Sequence, residues 1–131
     1  MESLSLPALD GAHVFVVHDE ADARELLGRV LEEKDAKVST FKSAAETLMA
    51  LDVTKPSAIV GDIGMPEMDG YQMIRALRAT ERGSRIPALA LTAFARAEDR
   101  KRALLAGYQA HLAKPFDVAE LALVVAGVIG R

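Results

Sequence analysis

The stretch SAIVGDIGMPEMDGYQMIRALR, residues 57–78, contains an apolar run, an acidic loop and a helical pattern in direct succession. Residues 57–61 are mostly small and apolar and lead into Asp62, which is typical of a strand covered on both faces. A proline and two glycines then interrupt the regular pattern. Asp69 and Gln72 have the spacing of a capping box at the start of a helix. The stretch therefore predicts a buried strand, a polar loop and a helix, the unit from which parallel α/β sheets are built.

The same unit recurs on both sides of this stretch. In the first predicted helix, Leu26 is expected on the apolar side. A polar and apolar alternation makes the second strand an edge strand. Five strands and five helices in strict alternation favour a parallel sheet with helices on both faces and right-handed crossovers. The four further strands are predicted at residues 13–17, 36–41, 86–92 and within 108–116.

Local signals mark where several helices begin and end. Ser43 with Glu46, and Asp117 with Glu120, have the same capping-box spacing as the pair in the acidic loop. Gly83 is expected to end the third helix, because glycine readily adopts the left-handed conformation that closes many helices.

Composition and charge limit the class of protein. The chain has 131 residues and a mass of 14.0 kDa, which favours a single domain with its own core. It contains no cysteine, so disulfides, thiol catalysis and cysteine-based metal sites are excluded. The net charge of −3 argues against nucleic-acid binding by charge alone. We interpret residues 1–11 as a leader or linker and residues 12–130 as the domain.

No segment has the pattern of a membrane span or a signal peptide. The longest runs without charge, residues 86–95 and 121–130, have ten residues each and are too short to cross a bilayer. The amino-terminal segment lacks the basic-then-apolar order of a signal peptide. We therefore expect a cytoplasmic domain that makes no membrane contact of its own, a description that also fits the cytoplasmic part of a membrane-bound protein.

Polar side chains follow four of the five predicted strands. In parallel α/β sheets, ligands bind beyond the carboxyl ends of the strands. Taken alone, each side chain has a simple structural explanation, such as a helix cap, a strand-end hydroxyl or a solvated charge. Together they predict one site at a single edge of the sheet. They are His18, Asp19 and Glu20 after the first strand, Asp62 after the third, Thr92 after the fourth and Lys114 after the fifth.

The residue types in this set suit phosphoryl chemistry with a hard cation. Two carboxylates and a backbone oxygen match the ligands that Mg²⁺ prefers. A carboxylate can also attack phosphorus and form an aspartyl phosphate. Phosphoryl transfer needs a cation to neutralise the equatorial oxygens, which Lys114 can supply, while Thr92 can donate a hydrogen bond. The sequence lacks the glycine-rich dinucleotide motif, the P-loop and the G-x-S-x-G elbow, which excludes three competing kinds of site.

Four stretches together carry a resemblance to a known family. The loop pattern D-x-x-M-P-x-M-D-G, followed by L-T-A and K-P, is highly specific as a set. On these motifs the chain resembles the receiver domain of bacterial two-component response regulators over residues 12–129. The resemblance implies a flavodoxin-like (βα)5 fold, a doubly wound parallel sheet of five strands in the order 2-1-3-4-5. The four stretches are VFVVHDE (14–20), residues 57–78, IPALALTAFA (86–95) and GYQAHLAKPF (107–116).

The resemblance also implies roles for the acidic residues. It makes Asp62 the phosphoacceptor and Mg²⁺ the cofactor, with Asp19, Asp62 and the carbonyl of Gly64 as metal ligands. One departure concerns this ligand set, because the family usually has two acids where this chain has His18 and Asp19. In the family the first acid holds the metal mainly through water, a role that His18 or Glu20 would have to fill here. Since histidine removes one negative charge and suits softer metals, we expect weaker Mg²⁺ binding or an altered metal preference.

The remaining implied roles concern the phosphoryl group and the switch. Thr92 is the switch hydroxyl, Ala93 contributes to phosphate binding and Lys114 pairs with the phosphate. The family often has a cis peptide bond before the proline that matches Pro115. His111 occupies the position of a tyrosine or phenylalanine that rotates on activation, so it is the candidate conformational switch here.

The resemblance implies that the chain takes a phosphoryl group from a phosphohistidine and switches the surface of its fourth helix, fifth strand and fifth helix. Its partner would be a histidine kinase or a histidine phosphotransfer domain, and the domain would assist its own phosphorylation. We expect a monomer or weak dimer, without a nucleic-acid partner. The origin is either a hybrid sensor kinase, which the flanking motifs favour, or a free-standing regulator.

Two rival functions belong to other classes. A pseudo-receiver would only dock partners, and His18 favours that alternative. The retention of both aspartates, Thr92 and Lys114 argues against it, because docking has no chemical need for all four. A hydrolase that uses Asp62 for turnover would need a second aspartate two residues later, where this chain has Gly64. Gly64 also has no side chain to shield or assist water attack on an acyl phosphate.

Overall fold

The computed structural model describes residues 8–65, 67–93 and 96–130. Five strands alternate with five helices, and the strands form one parallel sheet in the order β2-β1-β3-β4-β5. The predicted flavodoxin-like topology is confirmed. The elements are β1 (His13–Val17), α1 (Ala21–Glu32), β2 (Lys37–Phe41), α2 (Ala44–Ala50), β3 (Ala58–Asp62), α3 (Gly70–Ala79), β4 (Ala88–Thr92), α4 (Ala97–Ala106), β5 (Ala110–Ala113) and α5 (Val118–Val128).

The sheet has a separate apolar core on each face. Alternate residues of a strand point to opposite faces, so Val14 and Val16 of β1 join one core while Phe15 and Val17 join the other. Helices α1 and α5 cover the first face, and α2, α3 and α4 cover the second. Strands β3 and β4 are buried along their whole length, whereas β2 is partly exposed and lies at the edge, as its alternating pattern predicts.

Two capping boxes form as predicted, and a third forms only by half. The boxes at Asp69 and Asp117 are complete. At α2, Ser43 Oγ accepts from the main-chain N–H of Glu46, but the Glu46 carboxylate accepts from the main-chain N–H of Lys42 and not from that of Ser43. The prediction of a full capping box is therefore wrong in one of its two bonds. The Glu46 carboxylate accepts from Lys42, the residue before the N-cap, and not from the N-cap residue Ser43.

Two further local predictions are wrong. Leu26 is 62% exposed, because Leu27 and its neighbours at helical spacing face the sheet and Leu26 is turned toward solvent. Helix α3 ends at Ala79 and not at Gly83. Thr80 takes an extended conformation there, and its hydroxyl both donates to the carbonyl of Leu77 and accepts from the N–H of Gly83.

A network of polar groups ties the amino ends of β4 and β5 to the helices around them. The half-buried guanidinium of Arg78, in the last turn of α3, donates five hydrogen bonds to main-chain and side-chain oxygens. The acceptors of Arg78 are the carbonyls of Gly83, Ile86 and Gly107, the last of them twice, and Oε1 of Gln109.

Tyr108, just before β5, makes a second polar contact. Its burial raises its pKa, so the hydroxyl stays protonated and donates to the carbonyl of Gly70 at 2.8 Å.

The amino-terminal segment is described from residue 8 onward. Leu9 is fully buried in the core under α1, and its N–H donates to the carbonyl of Lys34. The division at residue 12 stays a prediction, and residues 1–7 of the predicted leader lie outside the described residues. Across the described ranges, no helix combines the length and the apolar character needed to span a membrane.

Candidate functional site

The predicted site residues meet at the carboxyl edge of the sheet. Asp62 and Thr92 are the last residues of β3 and β4, and each is 5% exposed. Because β1, β3, β4 and β5 are parallel neighbours, the residues after each strand open into one cleft of about 450 Å³. The cleft is lined by all the polar residues predicted at the strand ends, together with Gly64 and Ala93: His18, Asp19, Glu20, Asp62, Gly64, Thr92, Ala93 and Lys114.

Lys114 and Asp62 form the shortest ion pair in the cleft. Lys114 Nζ lies 2.7 Å from Asp62 Oδ1, and the main-chain N–H of Lys114 donates to the carbonyl of Thr92. The peptide bond between Lys114 and Pro115 is cis. A buried carboxylate loses hydration, and a hydrogen-bonded cation offsets much of that cost. Lys114 is thus fixed by its main chain to β4 and by its side chain to Asp62.

His18 is buried against this pair. Its Nε2 atom lies 3.8 Å from Asp62 Oδ2 and 3.3 Å from Lys114 Nζ, and its side chain is 5% exposed. The main-chain N–H of Glu20 donates to Nδ1 at 3.1 Å. Nδ1 must therefore keep its lone pair, so the neutral ring carries its hydrogen on Nε2, on the side of Asp62. With that assignment, neither the approach of Nε2 to Lys114 nor the 3.5 Å separation of Nδ1 from Asp19 Oδ1 is a hydrogen bond.

Oxygen atoms in the cleft suit a hard cation. Ligand atoms of His18, Asp19 and Asp62 lie within 4.8 Å of one another. Because the Nε2–H form of His18 directs a hydrogen and not a lone pair toward Asp62, the imidazole is poorly arranged to bind a metal. The two carboxylates and the main chain of Gly64, on the same cleft, form an oxygen set of the kind that Mg²⁺ prefers. The residues present therefore fit a magnesium ion held through oxygen.

The sequence pattern missed a second group of cleft residues. Asp99 and Arg102, both on α4, and Tyr71, on α3, line the same cleft. The guanidinium of Arg102 stacks over the Tyr71 ring at 4.0 Å from its centroid. Burial raises the pKa of Tyr71, Arg102 opposes that rise, and the carboxylates of Asp99 and Asp69 add to it. Nothing in the spacing marks these residues, because they lie within helices and not directly after strands.

His111 lies away from the cleft. It is half-buried on β5 and lines a separate groove beside α4. Leu104 and Leu105 on this groove are exposed by 43% and 78%. The structure thus brings every predicted phosphate and metal residue into one cleft and puts the predicted switch residue on another surface. The groove contains His111 and Ala113 of β5 and, from α4 and the residue before it, Arg96, Ala97, Arg100, Lys101, Leu104 and Leu105.

Comparison with known proteins agrees with this geometry. The family model described as the response regulator receiver domain matches residues 14–126. The chain belongs to this family. It is 43% identical over 112 residues to an uncharacterized 14.6 kDa protein in the sodA1 3′ region of Leptolyngbya boryana, covering 86% of each chain. It is 39% identical over 118 residues to the transcriptional regulatory protein PrrA of Mycobacterium leprae, covering 90% of this chain but only 50% of PrrA.

A solved structure is similar over the whole domain. The receiver domain of sensor histidine kinase PA1611 from Pseudomonas aeruginosa matches with a TM-score of 0.84 and 32% identity. The match covers 92% of this chain and 99% of that one, and that structure has a magnesium ion coordinated in its active-site cleft. The protein is thus a receiver domain of two-component signalling.

Proposed function

We propose that Asp62 accepts a phosphoryl group from a phosphohistidine and that the acyl phosphate switches the domain. One observation carries this proposal. The Asp62 carboxylate is buried at the base of an open cleft, 2.7 Å from Lys114 Nζ, with Thr92 beside it on the neighbouring strand. A buried carboxylate that faces a cleft and a lysine is arranged for nucleophilic attack on phosphorus and for neutralising the product.

In the transfer step, an oxygen of the Asp62 carboxylate forms the new bond to phosphorus, and the bond between phosphorus and the donor imidazole nitrogen breaks. The imidazole keeps the electron pair of that bond. Lys114 donates to a phosphoryl oxygen, and the Thr92 hydroxyl, which lines the cleft, donates to another. His18 Nε2 lies 3.8 Å from Asp62 Oδ2, so its N–H would add a donor beside the modified carboxylate where the family usually has an acid.

The residues that would hold Mg²⁺ are Asp19, Asp62 and the Gly64 carbonyl. When bound, the ion supplies positive charge that neutralises the phosphoryl oxygens during transfer. His18 provides no negative charge to this set, and Asp19 is 35% exposed at its side chain. We therefore propose a magnesium site with lower affinity than a site that has two acids after β1.

The donor would be a histidine kinase or a histidine phosphotransfer domain. PA1611, whose receiver domain is similar over its whole length, is named a sensor histidine kinase. PrrA, of which this chain spans half, is named a transcriptional regulatory protein. Both kinds of parent protein are therefore compatible with the chain. We propose that the output surface includes the groove beside α4, because exposed leucines and basic side chains meet there.

Modification by a small phosphodonor tests the proposal directly. The wild-type chain and Asp62→Ala are incubated with Mg²⁺ and acetyl phosphate, and the intact mass is measured. In parallel, beryllofluoride is added and amide resonances are recorded. We expect one phosphoryl group on the wild type and none on the variant, and resonance shifts around Thr92 and Lys114 only in the wild type. A wild type that behaves like Asp62→Ala in both experiments would refute phosphoacceptor function.

A docking module without phosphorylation is the second candidate. The observation in its favour is His18, whose ring fills space next to Asp62 and lacks the charge of an acid. This candidate predicts that partner binding is the same for wild type and Asp62→Ala, with or without acetyl phosphate. Phosphorylation of the wild type by either a donor kinase or acetyl phosphate removes this alternative.

A further inference from the structure

The mouth of the cleft contains a second cation that the proposed chemistry does not use. Arg102, from α4, lines the cleft together with Asp62 and Lys114. Its guanidinium lies 4.0 Å above the ring of Tyr71, which is itself 5% exposed and fixed at the start of α3. Stacking uses the flat face of a guanidinium and leaves the N–H groups at its edge available.

Arg102 has no acidic partner among the residues that the structure describes, although one is close in sequence. Asp99 lies one turn earlier on α4 and lines the same cleft, yet no ion pair forms between them. Asp99 Oδ2 is buried and accepts no hydrogen bond within the described ranges. On α1, by contrast, Arg29 and Glu25 pair at 2.6 Å even though both are exposed. The stack on Tyr71 thus holds Arg102 away from the obvious partner.

The charge of the cleft favours a further anion contact. His18 stands where the family usually has an acid, so the cleft contains one negative charge fewer. Lys114 is already bonded to Asp62 Oδ1. A phosphoryl group on Asp62 presents several strong acceptor oxygens, each able to accept more than one hydrogen bond, so Lys114 and Thr92 leave acceptor positions for a further donor. Arg102 is a cation on the same cleft whose donors are not committed to an acceptor among the described residues.

We propose that Arg102 is a second phosphoryl-binding cation, which donates from α4 to oxygens of the group carried by Asp62. This inference rests on the proposed function of Asp62. The planar fork of arginine bonds phosphoryl oxygens in pairs, which a lysine does not do. Because Tyr71 holds the guanidinium in place beforehand, little side-chain freedom is lost on binding. The contact links the modified strand end to α4, which also forms the wall of the neighbouring groove.

The test compares two variants that each remove one positive charge. Arg102→Gln removes the proposed donor, and Arg75→Gln removes an exposed arginine on α3 that is not among the cleft residues described. Beryllofluoride is titrated at saturating Mg²⁺ and affinity is read from amide resonances. We expect Arg102→Gln to weaken beryllofluoride binding about tenfold and Arg102→Lys to weaken it less, since only the fork is lost. Arg75→Gln is expected to stay within about twofold of wild type.

A second measurement uses the wild type alone and does not depend on the stability of variants. The Nε–Hε resonance of Arg102, assigned with the Arg102→Lys variant, is expected to shift when beryllofluoride binds. The inference is overturned if that resonance stays in place. It is also overturned if both glutamine variants weaken beryllofluoride binding equally, because the weakening would then come from the loss of one positive charge and not from the loss of a contact with Arg102. If the wild type does not bind beryllofluoride at all, the proposed function of Asp62 fails first and this inference fails with it.

Discussion

The two edges of the sheet each contain a cation that donates to oxygen, but the two cations are held differently. At the amino edge, Arg78 donates five hydrogen bonds, four of them to main-chain carbonyls. At the carboxyl edge, Lys114 Nζ donates to one side-chain oxygen, Asp62 Oδ1, and the Lys114 side chain is 36% exposed. Carbonyls that are fixed by the fold cannot leave Arg78, whereas a phosphoryl group could replace part of the Lys114 contact.

The groups that accept from a cation separate structural cations from functional ones in this fold. A cation whose donors are satisfied mostly by main-chain carbonyls stabilises the connections between elements, and its removal leaves those carbonyls without partners. A cation that retains exposed donors beside a carboxylate can bind a further anion. Residue type alone does not distinguish the two, because arginine stands in both settings, as Arg78 at the amino edge and as Arg102 on the cleft.

Arg78→Met is expected to cause the largest loss of stability. Removing the guanidinium leaves the carbonyls of Gly83, Ile86 and Gly107 without these donors, so unfolding should become easier by about 3 kcal/mol. Urea unfolding followed by circular dichroism measures this. Arg78→Lys keeps the charge but loses the fork, so it should recover only part of the loss. A loss below about 0.5 kcal/mol, the range of ordinary surface substitutions, would contradict a structural role for Arg78.

Lys114→Met is expected to act mainly on modification. Without the ammonium group, the charge that develops on the phosphoryl oxygens is less well neutralised, so phosphorylation by acetyl phosphate should slow about a hundredfold. Asp62 loses the cation that offsets its burial, but it lies at the base of the open cleft, where water can take the place of the ammonium group. The urea midpoint should therefore fall less than that of Arg78→Met. The rate is measured by intact mass over time. The distinction between the two edges would be contradicted if Lys114→Met were less stable than Arg78→Met and were phosphorylated at the wild-type rate.

His18→Asp is expected to raise the affinity for Mg²⁺ about tenfold, because an extra carboxylate joins the oxygen ligands after β1. The control is His18→Asn, which supplies an oxygen without a charge and should change affinity less. Titration of Mg²⁺ followed by calorimetry or amide resonances measures both, and chelation of the metal should return each protein to its starting spectrum. Equal affinities in wild type and His18→Asp would show that His18 does not weaken the site.

His13 at the amino edge should give the smallest effect, seen only as a pH dependence of stability. Burial, and to a lesser extent Lys37, lowers the pKa of His13 below its ordinary value of 6.5, and Nε2 lies 2.7 Å from Ser39 Oγ. Since the unfolded chain binds the proton more tightly, this contribution is complete above the ordinary pKa and is lost as the pH falls through the lowered one. Urea midpoints of wild type and His13→Gln should converge on acidification. Parallel curves at all pH values would exclude His13 as the source.

The fold could be predicted from the sequence because its signals are local. The central strands are short apolar runs and β2 is an alternating edge strand, while the capping boxes at Asp69 and Asp117 mark helix starts. Strict alternation leaves few topologies, and the resemblance to receiver domains supplied the strand order. The convergence of His18, Asp62 and Lys114 on one cleft followed from the rule that ligands bind at the carboxyl ends of parallel strands. The roles of these residues stay predictions until the chain is modified in solution.

The features that the sequence did not predict depend on distant contacts. Arg78 looks like an ordinary charge at the end of a helix, and its acceptors come from the segments that lead into β4 and β5. Arg102 and Tyr71 belong to different helices, and their stacking requires the packing of α3 against α4. Leu26 fits the apolar pattern of α1, yet the turn of the helix directs it to solvent. The spacing of residues within one element cannot indicate which side chains of different elements come into contact.

Helix α4 is the least anchored helix for its length, and this affects how fast its amide hydrogens exchange with water. Helix α3 buries five residues and α1 buries four, whereas α4 buries only Ala103. Segments with few buried apolar contacts open at low free-energy cost, so the amides of α4 should exchange before those of the sheet. Because α4 stands between the cleft and the neighbouring groove, its exchange rate would report events on either side without any label added to the protein.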